Sequence, residues 1–210
     1  MEHHPTDDTA EAWHWHDNTP PETAEPASSP ERSLDAPRIY LRDNGAAAKR
    51  VERGQWLDAT ADPKVLEAAK HELLDMSPFR GATVSIRQHS CFEGLDIDEW
   101  EDLATVSRLA RGVAAHGRAF VAYVEAWGRS PEAVAAFGAH YVGSWPDVAT
   151  WAQAVAEDRG WWDQLNEHVD EQLLPHLRID YEGLGRELTY DAHVVEDDER
   201  SQIHVFRLHA

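Results

Sequence analysis

The chain has 210 residues, with 19 Lys and Arg against 39 Asp and Glu, a formal charge of −20 with histidine neutral. A field of that sign repels phosphate, which excludes nucleic acid and anionic membrane as favoured partners and leaves basic proteins, or basic clefts on proteins. Cys91 is the single cysteine, Glu2, Asp7 and Asp8 stand where a basic leader would need lysine or arginine, and no apolar run approaches the ~18 residues of a membrane span, so a soluble cytoplasmic protein without disulfides is expected.

Residues 1–36 hold nine acids against one base, Arg32, and almost no aliphatic side chain. Such a composition cannot bury enough apolar surface to fold, and predicts a disordered acidic arm. Its Trp13-His14-Trp15-His16 tract alternates imidazoles without further ligands and is assigned no specific role. From Pro37 the character turns globular. Arg38-Ile-Tyr-Leu-Arg42 alternates like a strand, Asp43-Asn-Gly45 reads as a turn, and Gly54-Gln-Trp-Leu-Asp58 as a second strand. Asp62-Pro63 opens a helix carrying Val65, Leu66, Ala69, Leu73 and Leu74 at helical spacing and ending before Pro78, and Thr83 to His89 supplies a third strand.

Helices are predicted from residue 96 to 176. Asp96 with Glu99 three residues on forms a capping pair for a first helix on Ile97, Trp100, Leu103, Ala104 and Ala110. A second follows Gly117 on Phe120, Tyr123, Val124 and Trp127. A third opens at Ser130-Pro131-Glu132 and runs through Val134, Phe137 and Tyr141. A fourth spans Ser144 to Glu157 on Val148, Trp151, Ala152 and Val155, and a fifth spans Trp161 to Leu174 on Trp162, Leu165, Val169 and Leu173. A short helix near Tyr181 to Leu188 precedes strands Tyr190 to Val195 and Gln202 to Leu208, which flank the acidic turn Glu196-Asp-Asp-Glu199. The nine tryptophans fall mostly at core-facing helical positions and read as packing residues. The fold class is α+β: an elongated three-part chain with a small N-terminal sheet and helix (37–94), a central helical bundle (95–144) and a C-terminal α+β segment (145–210), preceded by the arm.

Within the run Glu93 to Asp102, six carboxylates occur in ten residues without a base, threaded through Leu95, Ile97 and Trp100. Apolar anchors inside an acidic run imply a folded surface that fixes its charges. On the predicted first helix, Asp98, Glu101 and Asp102 share the outer face, although first-turn acids also have a purely structural use in capping. On the fifth, Asp163, Glu167, Asp170 and Glu171 form a stripe reaching the last turn, where the helix dipole disfavours carboxylates. One acid every three or four residues places a charge every ~4.5 to 6 Å, sparser than the ~3.4 Å phosphate repeat of a DNA strand but of comparable pitch. These seven residues, with Glu125, Glu132, Glu157 and Asp158, are the candidate partner-binding, phosphate-mimicking carboxylates.

Several stretches also carry a resemblance. The opening Arg38-Ile-Tyr-Leu strand and Gly54-Gln-Trp-Leu-Asp58, Phe92-Glu-Gly-Leu with the following Glu-Trp-Glu-Asp-Leu, and His116-Gly-Arg-Ala-Phe-Val-Ala-Tyr123 come first. Phe137-Gly-Ala-His-Tyr-Val-Gly143, Ile179-Asp-Tyr-Glu-Gly-Leu-Gly-Arg-Glu-Leu188 and His204-Val-Phe-Arg207 follow. In order and spacing, from Arg38 to the C-terminus, the chain resembles the ArdA family of antirestriction proteins. The resemblance implies a homodimer that mimics DNA and occupies the DNA-binding cleft of type I restriction-modification enzymes, blocking cleavage and usually methylation, with no catalytic site and no cofactor. The arm lies outside it. The segment Asp147 to Asp158 is poorer in acid than the family's usual version, and Arg108, Arg111, Arg118 and Arg129 dilute the helical part, so weaker or narrower inhibition is expected than from a more acidic relative.

Catalytic and metal readings are weaker. Cys91 with His89, Asp96 and Glu93 could be cast as nucleophile, base and orienter, but a lone cysteine at a strand end is more often structural. The thirteen histidines show no ligand spacing within one helix, His71, His140 and His168 read as boundary residues, and Gly183-Leu-Gly185 is not a nucleotide fingerprint. No enzyme activity, metal or cofactor is expected. The alternative function is an acidic interaction or chaperone-like module for another basic nucleic-acid-binding protein.

Overall fold

Two small antiparallel sheets and a set of helices make up the fold, which is α+β. The computed structural model describes residues 36–209, so the expected arm, including its Trp-His tract, lies outside the described residues apart from Ala36.

The first sheet has the order β2-β1-β3, formed by β1 (Arg38–Asp43), β2 (Gly54–Asp58) and β3 (Val84–Ser90). The period-two alternation of β1 turns Ile39, Leu41 and Asp43 inward, each 1 % exposed or less. The predicted Asp43-Asn-Gly turn closes instead into one helical turn, α1 (Asn44–Ala47), because the buried Asp43 carboxylate accepts the Ala46 N–H at 3.1 Å. Burial alone would raise the Asp43 pKa; the Ser77 hydroxyl, the Ala46 and Gly45 N–H groups and Arg53 outweigh it and hold the carboxyl below its ordinary range. Helix α2 (Pro63–Asp75) starts as predicted, with Asp62 accepting from Lys64 N at 2.9 Å and Pro63 in the first turn. It buries Leu66 and Leu73 in the core, whereas Val65, expected on that face, is 58 % exposed.

The predicted helix at Asp96 does not form. After β3 the chain turns through positive φ at Cys91, Glu93 and Gly94, and Phe92, Leu95 and Ile97 are buried at two- and three-residue spacing that no helix face provides. The Glu99 carbonyl accepts the Ile86 N–H at 2.9 Å, which holds the segment to β3. Helix α3 (Leu103–Trp127) begins six residues later than expected, capped by Asp102 instead of Asp96. It breaks where the sequence placed a break, at Gly117, whose φ of 55° and ψ of −136° suit glycine alone. Before the break Leu103, Val106, Leu109, Ala110 and Val113 face inward; after it every residue from Ala119 to Val124 is buried.

That apolar second half needs cover on all sides, and the next elements supply it. The expected third helix stops early as two short pieces, α4 (Pro131–Ala135) and α5 (Phe137–His140), and Tyr141 opens a strand, β4 (Tyr141–Trp145). A second sheet has the order β4-β6-β5, with β5 (Ala192–Asp197) and β6 (Gln202–Arg207) close to their predicted limits. Central β6 is buried from Ile203 to Phe206. Phe206 meets Tyr123, Trp127, Phe137 and Tyr141 with ring centroids 5.5 to 6.4 Å apart. The Tyr123 hydroxyl donates to the Ala133 carbonyl at 2.9 Å, tying α3 to α4.

Beyond β4, α6 (Val148–Asp158) buries Trp151, Ala152, Val155 and Ala156 and packs against α8 (Tyr181–Leu188). Gly185 makes that approach possible: a Cβ there would lie 2.5 Å from the Val148 carbonyl oxygen. Between them, the expected long fifth helix is α7 (Trp161–His168), only eight residues, followed by turns and a single 3-10 turn at Leu174–His176. It buries no side chain, so little beyond its own hydrogen bonds sustains it, and it ends where Val169 turns to extended backbone at φ −107° and ψ 138°. The reading of the tryptophans as core residues holds only in part: Trp127 packs against the core and Trp145 against Trp151. Trp151 is fully buried, but Trp56, Trp100 and Trp162 are 39, 63 and 37 % exposed.

The β5–β6 hairpin is fastened to α3 by buried polar groups. Asp197, 2 % exposed, lies 3.8 Å from Arg118 Nε and 3.5 Å from His204 Nε2, and Arg200 reaches Glu93 at 2.8 Å. Burial pulls the His204 pKa below its ordinary 6.5, with Asp197 opposing only in part. A depressed folded-state pKa means that the stability this neutral ring contributes is fully present above about pH 6.5 and is lost as pH falls toward the folded value. Relief of acid–acid repulsion on acidification is common to wild type and variants. The melting-temperature advantage of wild type over His204→Asn is therefore expected to shrink between pH 7.5 and 5.5; an advantage that holds constant or grows would contradict this.

Candidate functional site

The candidate carboxylates divide by what the backbone does with them. Asp98 Oδ1 accepts the Trp100 N–H at 2.7 Å, and Asp102 accepts from Ala104 N at 2.9 Å and Thr105 N at 3.2 Å. The Thr105 side chain, these N–H groups and Arg108 keep the Asp102 carboxyl below its ordinary range despite some burial. Glu101, half-buried, faces Arg129 Nη1 at 3.5 Å. Asp98, Glu101 and Asp102 therefore do not share a helix face as expected. They lie on a loop and at a helix cap, because Asp102 rather than Asp96 starts the helix.

Glu125 is exposed near the end of α3, and Glu132 is exposed in the first turn of α4, its carboxyl held low by its own N–H and the Ser130 hydroxyl. Glu157 and Asp158 end α6, with Gln153 Nε2 donating to Glu157 at 2.8 Å. The stripe of four acids on one helix is not present. Asp163 and Glu167 share a face of α7, ~6 Å apart along its axis, but Asp170 and Glu171 lie past its end at His168. Asp170 there accepts the Gln172 N–H at 2.9 Å. The dipole penalty inferred for a last-turn stripe does not apply to Asp170 and Glu171, which have left the helix. Of the eleven candidates all but Glu101 are exposed.

A further acidic feature was absent from the candidate set. Asp147 caps α6 through Thr150 N at 2.7 Å, and that N–H foremost lowers its carboxyl pKa. With Glu196 and Asp198 it lines an open cleft of about 330 Å³, along which the buried Asp197 also lies. The Glu196-Asp-Asp-Glu199 run is visible in the sequence; its juxtaposition with Asp147 through β4 is not, since the pattern there predicts helix.

The catalytic reading of Cys91 finds little geometry. His89 Nε2 is 3.4 Å from Asp96 Oδ1, but Glu93 is engaged by Arg200, and Cys91 stands exposed on a turn. His71 and His168 place Nδ1 2.7 and 2.8 Å from the carbonyl one helical turn earlier, and His140 lies 3.0 Å from the Tyr123 hydroxyl. Among the described residues no group of three or more His, Cys, Asp or Glu has metal-site geometry, and no helix is long and apolar enough to cross a membrane.

The family described as Antirestriction protein (ArdA) matches residues 49–199, from just before β2 to the β5–β6 turn. The chain belongs to the ArdA antirestriction family. ArdA is a family of inhibitor proteins, which makes antirestriction the function and a restriction enzyme the class of partner. Every candidate carboxylate from Asp98 to Glu171 falls inside the ArdA match, and the arm falls outside it. No curated protein and no solved structure matches the chain.

Cap and charge can be separated at Asp102. Asn caps as well as Asp, whereas Ala does not, so Asp102→Ala is expected to cost about 1 kcal/mol of stability and Asp102→Asn only a few tenths. Denaturant unfolding of both variants measures the difference; equal losses would mean that charge, not capping, fixes this helix start.

Proposed function

We propose that this ArdA protein acts as a DNA mimic, a homodimer that occupies the DNA-binding cleft of a type I restriction-modification enzyme in the cytoplasm and thereby blocks cleavage and methylation. The observation that supports it is the exposure of ten candidate carboxylates, from Asp98 to Glu171, on a chain of net charge −20. A carboxylate has about four acceptor positions, and a cap or turn bond uses one or two of them. The rest stay available to Lys or Arg of a cleft. Because Asp98, Asp102 and Asp170 are already ordered by backbone N–H groups, little side-chain entropy is lost when a cation arrives. Asp102 and Glu132, with lowered pKa, also remain ionised under mildly acidic conditions. Glu101, already facing Arg129, is the weakest member of the set. For the homodimer, support comes from the apolar Trp162, Leu165, Val169 and Leu173, which the described chain leaves unburied on and just beyond α7.

Electrostatic replacement of DNA gives a sharp expectation. Inhibition should compete with DNA and weaken steeply, by orders of magnitude, between roughly 50 and 200 mM salt, as phosphate contacts do. Simultaneous Glu157→Lys, Asp158→Lys, Asp163→Lys and Glu167→Lys substitution is expected to abolish inhibition while leaving the thermal transition in place. Phage plating on a strain carrying a type I system provides the cellular readout. Salt-independent inhibition, or inhibition by the reversed variant, would sink the mimicry reading. Binding to another basic protein with restriction intact would favour the acidic interaction module instead.

A further inference from the structure

The acid run contains one large apolar side chain that the fold does not use. Phe92, Leu95, Ile97 and Leu103 are all buried to 5 % exposure or less, while Trp100 among them is 63 % exposed. The backbone that carries it is fixed on both sides. Asp98 Oδ1 holds the Trp100 N–H at 2.7 Å, and the Asp98 carbonyl accepts the Glu101 N–H at 3.2 Å. Glu99 bonds β3 twice, through its carbonyl to Ile86 N at 2.9 Å and through its carboxylate to the Ser85 hydroxyl at 2.9 Å. Glu101 faces Arg129, and Asp102 caps α3. The indole is thus set out into solvent from a segment tied to the first sheet and to α3.

The neighbours select what can cover it. Asp96, Asp98 and Asp102 are exposed in sequence on either side, so their field adds to the negative face of the ring, and both attract a cation. A second copy of this chain would bring a second acidic run against the first and is disfavoured by charge. Among cations, a guanidinium is planar and weakly hydrated and stacks on aromatic faces, whereas an ammonium holds its water more tightly. We propose that Trp100 is a contact point for an arginine of the basic partner, its ring receiving the guanidinium while Asp98 and Asp102 flank it. This rests on the acidic surface being the inhibitory face. Bases offer cationic protein side chains the same planar apolar surface beside phosphate charge, so Trp100 supplies the part of a nucleotide that carboxylates lack.

The test compares wild type, Trp100→Ala, Trp100→Phe and, as an exposed apolar control, Val65→Ala, by displacement of DNA from a type I restriction-modification enzyme at low and high salt. Trp100→Ala is expected to bind roughly ten-fold more weakly with an unchanged melting temperature, Trp100→Phe to recover part of the loss, and Val65→Ala to match wild type. The loss should be the same factor at both salts, because no charge has been removed. Wild-type affinity in Trp100→Ala overturns the assignment. So does a change in sedimentation on that substitution, which would place the indole between two copies. If the wild-type chain itself fails to displace DNA, the acidic-surface reading falls and takes this inference with it.

Discussion

The second half of α3 is the constraint around which the rest is arranged. From Ala119 to Val124 no residue faces water, so the helix is stable only if surrounded. The first sheet and α2 belong to the same apolar core, which extends through α3 to Phe206 on β6. The remaining cover comes from α4, α5 and the second sheet, through the rings of Phe137, Tyr141 and Phe206 around Tyr123. The glycine break at 117 permits this, since an unbroken helix would carry its apolar stripe on in one direction instead of redirecting the chain. Arg118, directly after the break, satisfies the Glu93 carbonyl at 2.7 Å and stands by Asp197, so the reorientation is held by polar contacts as well as by packing.

Among the described residues such a core leaves all the acids but Asp43 and Asp197 unburied, and the price is self-repulsion across a chain of charge −20. Part of that is offset locally. Asp43, Asp62, Asp102, Asp147 and Asp180 each accept backbone N–H groups at helix starts, where the peptide dipoles favour negative charge. Cap bonds therefore stabilise helices and immobilise carboxylates at once. A surface evolved only for solubility would not need that second property, whereas recognition of a basic cleft benefits from it.

Legibility in the sequence followed the range of the forces involved. β1, β2, α2, β3, α8 and the C-terminal hairpin are specified by local alternation, caps and turns, and their limits were readable to within a few residues. The break at Gly117 was visible because one glycine divides two helical patterns. The failures each have a tertiary cause. Residues 96 to 102 carry a capping-box pattern, but burial of Leu95 and Ile97 and the bond from Ile86 N to the Glu99 carbonyl override it. Tyr141 looks like the tail of a helix, yet pairing with β6 draws it into a strand, opposite Phe206 65 residues on. Leu165, Val169 and Leu173 recur at helical spacing, but nothing packs over them deeply enough to bury any one, and α7 ends at His168. Of the carboxylate set, exposure was legible and shared faces were not, because a wheel drawn on the wrong helix limits assigns the wrong neighbours.

The positions of these acids bear on the mimicry proposed above. Acids on ideal helices would repeat at a uniform pitch, approximating a phosphate row by periodicity. Here Asp163 and Glu167 repeat along α7, whereas Asp98, Asp102 and Asp170 sit on a loop, at a cap and in a turn, where position is set site by site through hydrogen bonds such as Asp98 to Trp100 N and Asp170 to Gln172 N. A DNA-binding cleft makes about half or more of its hydrogen bonds to phosphate and sugar, contacts that position the duplex without reading its sequence. It tolerates irregular pitch provided each charge is fixed before contact, since ordering long side chains during binding would consume the electrostatic gain. Short aspartates bonded to the backbone meet that requirement better than a regular row of mobile glutamates.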